Sequence, residues 1–253
     1  MNTDLASAVE LADDVVAACS RHVDRCDIAL FPPFVYLQAV GHRLGHHGIM
    51  LGAQDVYPQP NGAFTGEIST EMLLDLNVVI VLVGHSERRH IIGEGDELVR
   101  DKLHAVLDAG LQAMLCVGET LEQREAGRTD QINVHQVMSA LDGVPADRLR
   151  QVTIAYEPVW AIGTGVNATA ADAEAAQRKI RQTVRDLYDG AAADSMRILY
   201  GGSLKASNAM DIFAQPNVDG GLVGGSSLKV DEWTGIVAAA AAAAHSHTKA
   251  IRQ

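Results

Sequence analysis

Residues 152–165 read Val152-Thr153-Ile154-Ala155-Tyr156-Glu157-Pro158-Val159-Trp160-Ala161-Ile162-Gly163-Thr164-Gly165, and this stretch with its sequel decides the fold. Residues 152–156 form a short run without polar alternation, as a parallel strand covered on both faces requires. A loop closed by two glycines leads to Thr169-Ala170-Ala171-Asp172, the pattern of a helix start with a capping box. Ala173, Ala176, Ile180, Val184 and Leu187 then recur on one helical face, and Gly190 offers a stop. The whole is one strand–loop–helix unit. Its carboxylate, Glu157, stands at the strand's end, under an apolar flap hinged at Pro158. A base that must remove a weakly acidic C–H proton away from water needs such a place. The same residues would equally make a strand, a turn and a tryptophan packed on a neighbour.

The unit recurs along the chain. Strands are expected at Asp27–Phe31, Ile49–Ala53, Val78–Val83, Gln112–Val117, Val152–Tyr156, Met196–Tyr200 and Gly220–Val223. Between them lie amphipathic segments. Leu5, Ala8, Val9, Ala12, Val15, Val16 and Cys19 follow helical spacing with Thr3 or Asp4 as cap, and Val99, Leu103, Val106 and Leu107 repeat the theme before Gly110. A last helix runs from Asp231 through the seven alanines Ala238–Ala244. No linker or composition break divides the 253 residues, so a single α/β domain is expected. A closed parallel barrel has eight strands, each preceding its helix. Here the count is seven, with one additional helix in front. The expected architecture is therefore a (β/α)8 barrel whose first strand is missing from this chain.

Composition removes several functional classes. The formal net charge of −12, from 20 basic and 32 acidic residues, argues against a nucleic-acid binder or a membrane-surface protein. It leaves room for a small anion held by local backbone N–H groups. Three cysteines, Cys19, Cys26 and Cys116, without C-x-x-C spacing, read as free thiols in a reducing compartment. The most apolar run, Val78 to Val83, is too short to span a bilayer, and the N-terminus has no signal-peptide pattern. A cytoplasmic location is expected.

Glycine clusters follow the last three strands: Gly163-Thr164-Gly165, Gly201-Gly202-Ser203 and Gly224-Gly225-Ser226. Glycine lets backbone N–H groups turn toward a ligand, and barrels commonly hold phosphate between their last strand–helix loops. Ser203, read as the opening of a helix, would offer its N–H to an anion. No G-x-G-x-x-G follows a strand, so a dinucleotide site is not expected. His85, in Gly84-His85-Ser86-Glu87-Arg88-Arg89 after the third strand, would share a rim with Glu157. At a helix start the macrodipole favours a neutral imidazole, able to donate to a carbonyl oxygen; a plain polar strand end is the alternative. Glu87, Arg88 and Arg89 read as an ion-paired scaffold. Cys116 reads as core packing. His42, His46 and His47 read as a solvated helix end, not a metal site.

Together, Ala-Tyr-Glu-Pro-Val-Trp-Ala-Ile-Gly-Thr-Gly (155–165), Val-Gly-His-Ser-Glu-Arg-Arg (83–89), Leu-Cys-Val-Gly-Glu-Thr (115–120), Leu-Gly-Ala-Gln-Asp-Val-Tyr (51–57), Gly-Ala-Phe-Thr-Gly-Glu (62–67), Tyr-Gly-Gly-Ser (200–203) and Gly-Leu-Val-Gly-Gly-Ser-Ser-Leu (221–228) resemble the triosephosphate isomerase family in order and spacing. The resemblance covers Met1 to about residue 240. It implies a TIM barrel interconverting dihydroxyacetone phosphate and glyceraldehyde 3-phosphate through an enediolate, in glycolysis and gluconeogenesis, with neither cofactor nor metal. The residue roles are the family's, carried over by resemblance: His85 is the electrophile, Glu157 the base, and Pro158 to Thr164 the lid. Gly163, Ser203, Gly224 and Gly225 would bind the phosphate. A homodimer is implied, docked through Gln54–Glu67, with Thr65 near the partner's site.

Two departures from the family stand out. Asp55 occupies a position where the family usually has asparagine. Met1-Asn2 matches only the end of a family strand that closes Asn-x-Lys-Met-Asn and binds substrate through its asparagine and lysine. Without that strand, neighbouring edges would lose hydrogen bonds worth on the order of several kcal/mol. A start codon further upstream is the favoured explanation. A barrel acting on a related ketose or tetrulose phosphate, or one that binds phosphate without efficient turnover, is the alternative.

Overall fold

The computed structural model describes residues 1–162 and 168–251, with side chains to residue 244. Seven parallel strands pair in sequence order into one curled sheet: β1 (Ile28–Leu30), β2 (Ile49–Ala53), β3 (Ile80–Val83), β4 (Gln112–Val117), β5 (Val152–Tyr156), β6 (Arg197–Tyr200) and β7 (Gly220–Gly221). The helices are α1 (Leu5–Cys19), α2 (Leu37–Leu44), α3 (Thr70–Asp75), α4 (Asp96–Asp108), α5 (Leu121–Glu125), α6 (Thr129–Leu141), α7 (Ala170–Leu187), α8 (Gly190–Ser195), α9 (Ala206–Phe213) and α10 (Val230–Ile251).

Alternate strand residues face opposite ways, which divides the apolar side chains between two clusters. Val81, Val83, Leu115 and Ile154 join the helices in the main core. Ile80, Leu82, Met114, Cys116 and Ala155 pack together inside the curl. Register keeps those inward residues level, with Cys116 beside Ala155 and Ala155 beside Leu199. The longer expected strands reflect ladder bonds beyond the regular cores: Val79 N–H reaches Leu51 O at 3.0 Å, and Leu222 N–H reaches Tyr200 O at 2.9 Å.

Local signals fix the helix starts. The Asp4 carboxylate accepts from Ser7 N–H at 2.8 Å and Thr169 Oγ1 from Asp172 N–H at 3.1 Å, each within a capping box. Two expectations need correction. Gly190 does not stop a helix: α7 ends at Leu187, and the Asp189 side chain accepts from Ala192 N–H at 2.8 Å, so Gly190 begins α8. The capping acid immediately ahead outweighs the glycine. Likewise, Ser203 does not open α9. Leu204 turns into the core, and the helix starts at Ala206, with Asn208 Oδ1 accepting from Lys205 N–H.

Among the described residues no strand joins β1 to β7. The sheet's edges face each other across a cavity of about 1500 Å³. Ile28 to Phe31 line one side and Gly220 to Leu222 the other, with Ala12 and Val15 of α1 and Trp233 and Val237 of α10 behind. The same cavity opens at the C-terminal ends of the strands, where His85, Glu157, Ser203, Gly224 and Gly225 line it.

Candidate active site

Glu157 is the first residue after β5, and its backbone is fixed on both sides. Its N–H donates to Val117 O at 2.7 Å, while Gly201 N–H donates to Tyr156 O at 2.7 Å. Neighbouring backbone comes so close that a side chain would not fit: a Cβ on Gly118 would lie 1.8 Å from Glu157 O, and one on Gly201 would lie 2.9 Å from Glu157 Cγ. The two glycines let β4 and β6 press against the base of this side chain.

The carboxylate is 2% exposed and fully engaged. Ser86 N–H donates to Oε2 at 2.8 Å and Ser86 Oγ–H to Oε1 at 3.0 Å. His85 Nε2 lies 3.1 Å from Oε1. Burial pushes the Glu157 carboxyl above the usual carboxylate range; His85, the Ser86 amide and hydroxyl, and Cys116 oppose that rise without cancelling it. A raised carboxyl holds a proton more readily, as general-base work near neutrality requires.

The tautomer of His85 follows from its partners. Glu87 N–H donates to Nδ1 at 3.3 Å, so Nδ1 is the acceptor and the ring's proton sits on Nε2. That Nε2–H points at Glu157 and into the cavity. The residues after His85 form a helical turn whose part at Arg88–Ile92 is π-helical, in agreement with the helix-start reading.

The turn is anchored by charge. Arg88 reaches Glu94 Oε1 at 2.6 Å and Asp55 Oδ2 at 2.8 Å. Lys102, buried on α4, donates to both Asp55 oxygens at 2.7 and 2.9 Å and to Glu94 Oε1 at 2.5 Å. Burial pushes Asp55 upward against the pull of Lys102. It also pushes Glu94 upward, but there Arg88 and Lys102 prevail and hold the carboxyl below its usual range. Asp55 thus turns away from the neighbouring Gln54, whose Nε2 donates to Phe31 O at 2.8 Å. Arg89 bonds Gly84 O at 2.8 Å and Asp96 Oδ1 at 2.6 Å. Both arginines are scaffold, as expected; Glu87 is not, since its carboxylate is exposed and 4.0 Å from His85 Nδ1.

The flap begins with Pro158 and a tight turn at Val159–Ala161. Trp160 is buried: its Nε1–H donates to Glu119 Oε1 at 2.9 Å, and the Arg124 guanidinium stacks 4.0 Å from its ring centre. Tyr156 Oη–H donates to the same Glu119 oxygen at 3.1 Å. Ser203 Oγ–H donates to Ala161 O at 3.2 Å, tying the sixth loop to the flap's root. Gly163, named above for phosphate binding, and Thr164 of the expected lid lie outside the described residues. The other phosphate candidates, Ser203, Gly224 and Gly225, do share the cavity with His85 and Glu157, and Gly225–Leu228 forms a 3₁₀ turn at its edge.

Cys116 is fully buried, and burial drives its thiol far above the ordinary range, consistent with packing and not nucleophilic work. Cys19 and Cys26 are free thiols too. His42, His46 and His47 are exposed around the end of α2. Among the described residues no group of three His, Cys, Asp or Glu is placed to hold a metal ion, and no helix is long and apolar enough to cross a membrane. Sequence reading missed Ser86, Glu119, Lys102 and Gln136; a polar residue on the otherwise apolar face of α4 was the one available signal, at Lys102.

The chain is similar to known proteins along almost its whole length. A family model described as triosephosphate isomerase matches residues 1–240. The triosephosphate isomerase of Roseiflexus sp. (strain RS-1) is 50% identical over 230 residues, covering 91% of this chain and 90% of the relative. That of Rhodopirellula baltica is 45% identical over 243 residues, covering 96% and 95%. That of Roseiflexus castenholzii is 51% identical over 230 residues, covering 91% and 90%.

Proposed function

Because the chain belongs to the triosephosphate isomerase family, we propose that it interconverts dihydroxyacetone phosphate and D-glyceraldehyde 3-phosphate through an enediolate. The observation that supports the residue roles is the approach of His85 Nε2 to Glu157 Oε1, 3.1 Å apart in a cavity shared with Ser203, Gly224 and Gly225. Glu157 removes the proton from the carbon beside the carbonyl. His85, protonated on Nε2, donates to the carbonyl oxygen and stabilises the charge that gathers there. The Ser86 bonds hold the resting carboxylate; substrate takes their place when the side chain turns toward the reacting carbon. Backbone N–H groups of Gly163, Ser203, Gly224 and Gly225 bind the phosphate, and the flap rooted at Trp160 excludes water, protecting the enediolate from loss of phosphate.

The finer fold reading is a (β/α)8 barrel, with the gap between β1 and β7 as the place of a strand carrying Asn-x-Lys. The two facing edges and the cavity between them support it. The family match beginning at Met1 gives it no support, and the in-frame DNA before Met1 tests it: an apolar strand ending in Asn-x-Lys is the expected reading. The same gap favours one second reading, a barrel that binds phosphate but turns over slowly. We also assign a homodimer docked through Gln54–Glu67, on the exposure of residues 59–67 and of Phe64, whose ring packs at a tilt against Tyr57, and a cytoplasmic place in glycolysis and gluconeogenesis.

Turnover of triose phosphates in a coupled assay tests the function, with a tetrulose phosphate as comparison. Glu157→Asp withdraws the carboxylate by one methylene and should lower kcat about 100-fold or more with little change in KM. Unchanged turnover would remove Glu157 from the role of base, and turnover of the tetrulose alone would reject the triose.

A further inference from the structure

α6 carries three polar residues, Thr129, Asn133 and Gln136, at i, i+4 and i+7, and so on one face. That face is turned inward, with Asn133 1% and Gln136 8% exposed. An amphipathic helix would put apolar side chains there, so this buried polar stripe has to be explained by what it holds. It holds the two residues that follow β4. Gln136 grips both backbone groups of Gly118: Oε1 accepts from Gly118 N–H at 2.8 Å, and Nε2 donates to Gly118 O at 3.4 Å. Asn133 Nδ2 donates to Glu119 Oε2 at 3.4 Å and Thr129 Oγ1 to Glu119 Oε1 at 3.3 Å.

Gly118 is the residue against which the Glu157 backbone rests, with no room for even a methyl group between them. The preceding carbonyl, Val117 O, accepts from Glu157 N–H. A displacement of Gly118 therefore passes directly into the backbone of Glu157, from which the carboxylate reaches Ser86 and His85 at 2.8–3.1 Å at rest and the substrate carbon when it turns. On the Gly118 side the two backbones are in direct contact, so such a shift is passed on there and not absorbed.

We propose that Gln136 is a positioning residue for the isomerisation: its side-chain amide clamps Gly118 and thereby sets where Glu157 meets the substrate carbon. The assignment rests on Glu157 as the base. Gln136 itself touches neither the cavity nor any reacting atom. Misplacing a reacting group by about 1 Å costs on the order of 100-fold in rate, and a partial shift correspondingly less.

Two variants of the full chain test this beside Glu157→Gln. Gln136→Met keeps the length of the side chain and removes both bonds. Gln136→Glu keeps the acceptor facing Gly118 N–H. The readouts are kcat and KM for the triose phosphates, and affinity for inorganic phosphate and for a phosphorylated hydroxamate, a planar mimic of the enediolate. All are measured well below each variant's thermal midpoint. Gln136→Met should lower kcat and hydroxamate affinity about tenfold, leaving KM and phosphate affinity within about twofold, with Gln136→Glu in between. Should the Met variant not fold, a fall of about threefold in hydroxamate affinity alone for Gln136→Glu is the expected result. Parallel loss of phosphate and hydroxamate affinity, or a lowered thermal midpoint with unchanged kcat, overturns the proposal while Glu157→Gln is inactive. A Glu157→Gln chain that keeps kcat and hydroxamate affinity would instead sink the assignment of the base, and the clamp's catalytic role with it.

Discussion

Replacing Lys102 by methionine tests whether the buried charge cluster holds the fold together at the His85 turn. Lys102 is 2% exposed and makes three short contacts, two to Asp55 and one to Glu94. In Lys102→Met, Asp55 and Glu94 are left to share one guanidinium, that of Arg88. Stranding a buried charge in this way costs roughly 3–5 kcal/mol. Methionine recovers about 1 kcal/mol of that through apolar burial. The net loss, about 2–4 kcal/mol, is a large share of a domain stability of about 5–15 kcal/mol. The double variant Asp55→Asn/Lys102→Met removes one charge of each sign and leaves Arg88 facing Glu94, so most of the loss should return. Urea unfolding, followed by tryptophan fluorescence and far-ultraviolet dichroism, gives both numbers in a double-mutant cycle. A single variant within about 1 kcal/mol of the parent would show that Lys102 is not needed to neutralise Asp55 and Glu94, and a double variant as weak as the sum of the two singles would show that the charges are not coupled.

Other outcomes follow from the same contacts. Burial raises the Glu157 carboxyl above its unfolded value, so its ionisation opposes folding: the contribution is favourable at low pH and is lost as pH rises through the folded value. Glu157→Gln should therefore gain thermal stability over the parent as pH rises from about 4 toward 8, and a difference that stays flat across a pH series of melting curves would contradict it. Trp160→Phe removes a donor from buried Glu119, at a cost of about 1–3 kcal/mol, and loosens the flap's root. Melting and kcat together check this; a chain as stable as the parent shows that Tyr156, Thr129, Asn133 and Arg124 satisfy Glu119 without it.

The sheet was legible because the parallel strands β1 to β6 are largely apolar runs bounded by turn residues, and β7, reduced to Gly220–Gly221, continues the same order. Glu157 and His85 were legible because each ends a strand in a segment whose polarity changes abruptly. What stayed hidden depends on tertiary partners. Asn133 and Gln136 look like solvent-facing residues of a helix until Gly118 and Glu119 are seen to meet them. Ser86 gives no signal of its own; its two bonds to Glu157 span 71 positions. Gly190 and Ser203 misled for a local reason, since a capping acid in one case and a core leucine in the other displaced the helix boundary.

Solvent exchange at the substrate carbon tests Glu157 as the base most directly, because it reports proton removal whether or not turnover is fast. Dihydroxyacetone phosphate is incubated with the chain in heavy water and followed by proton magnetic resonance. Deuterium is expected at the carbon beside the carbonyl with the parent, and at least a 100-fold slower incorporation with Glu157→Gln at saturating substrate. Incorporation at the parent's rate in that variant would contradict the role of Glu157 as the base.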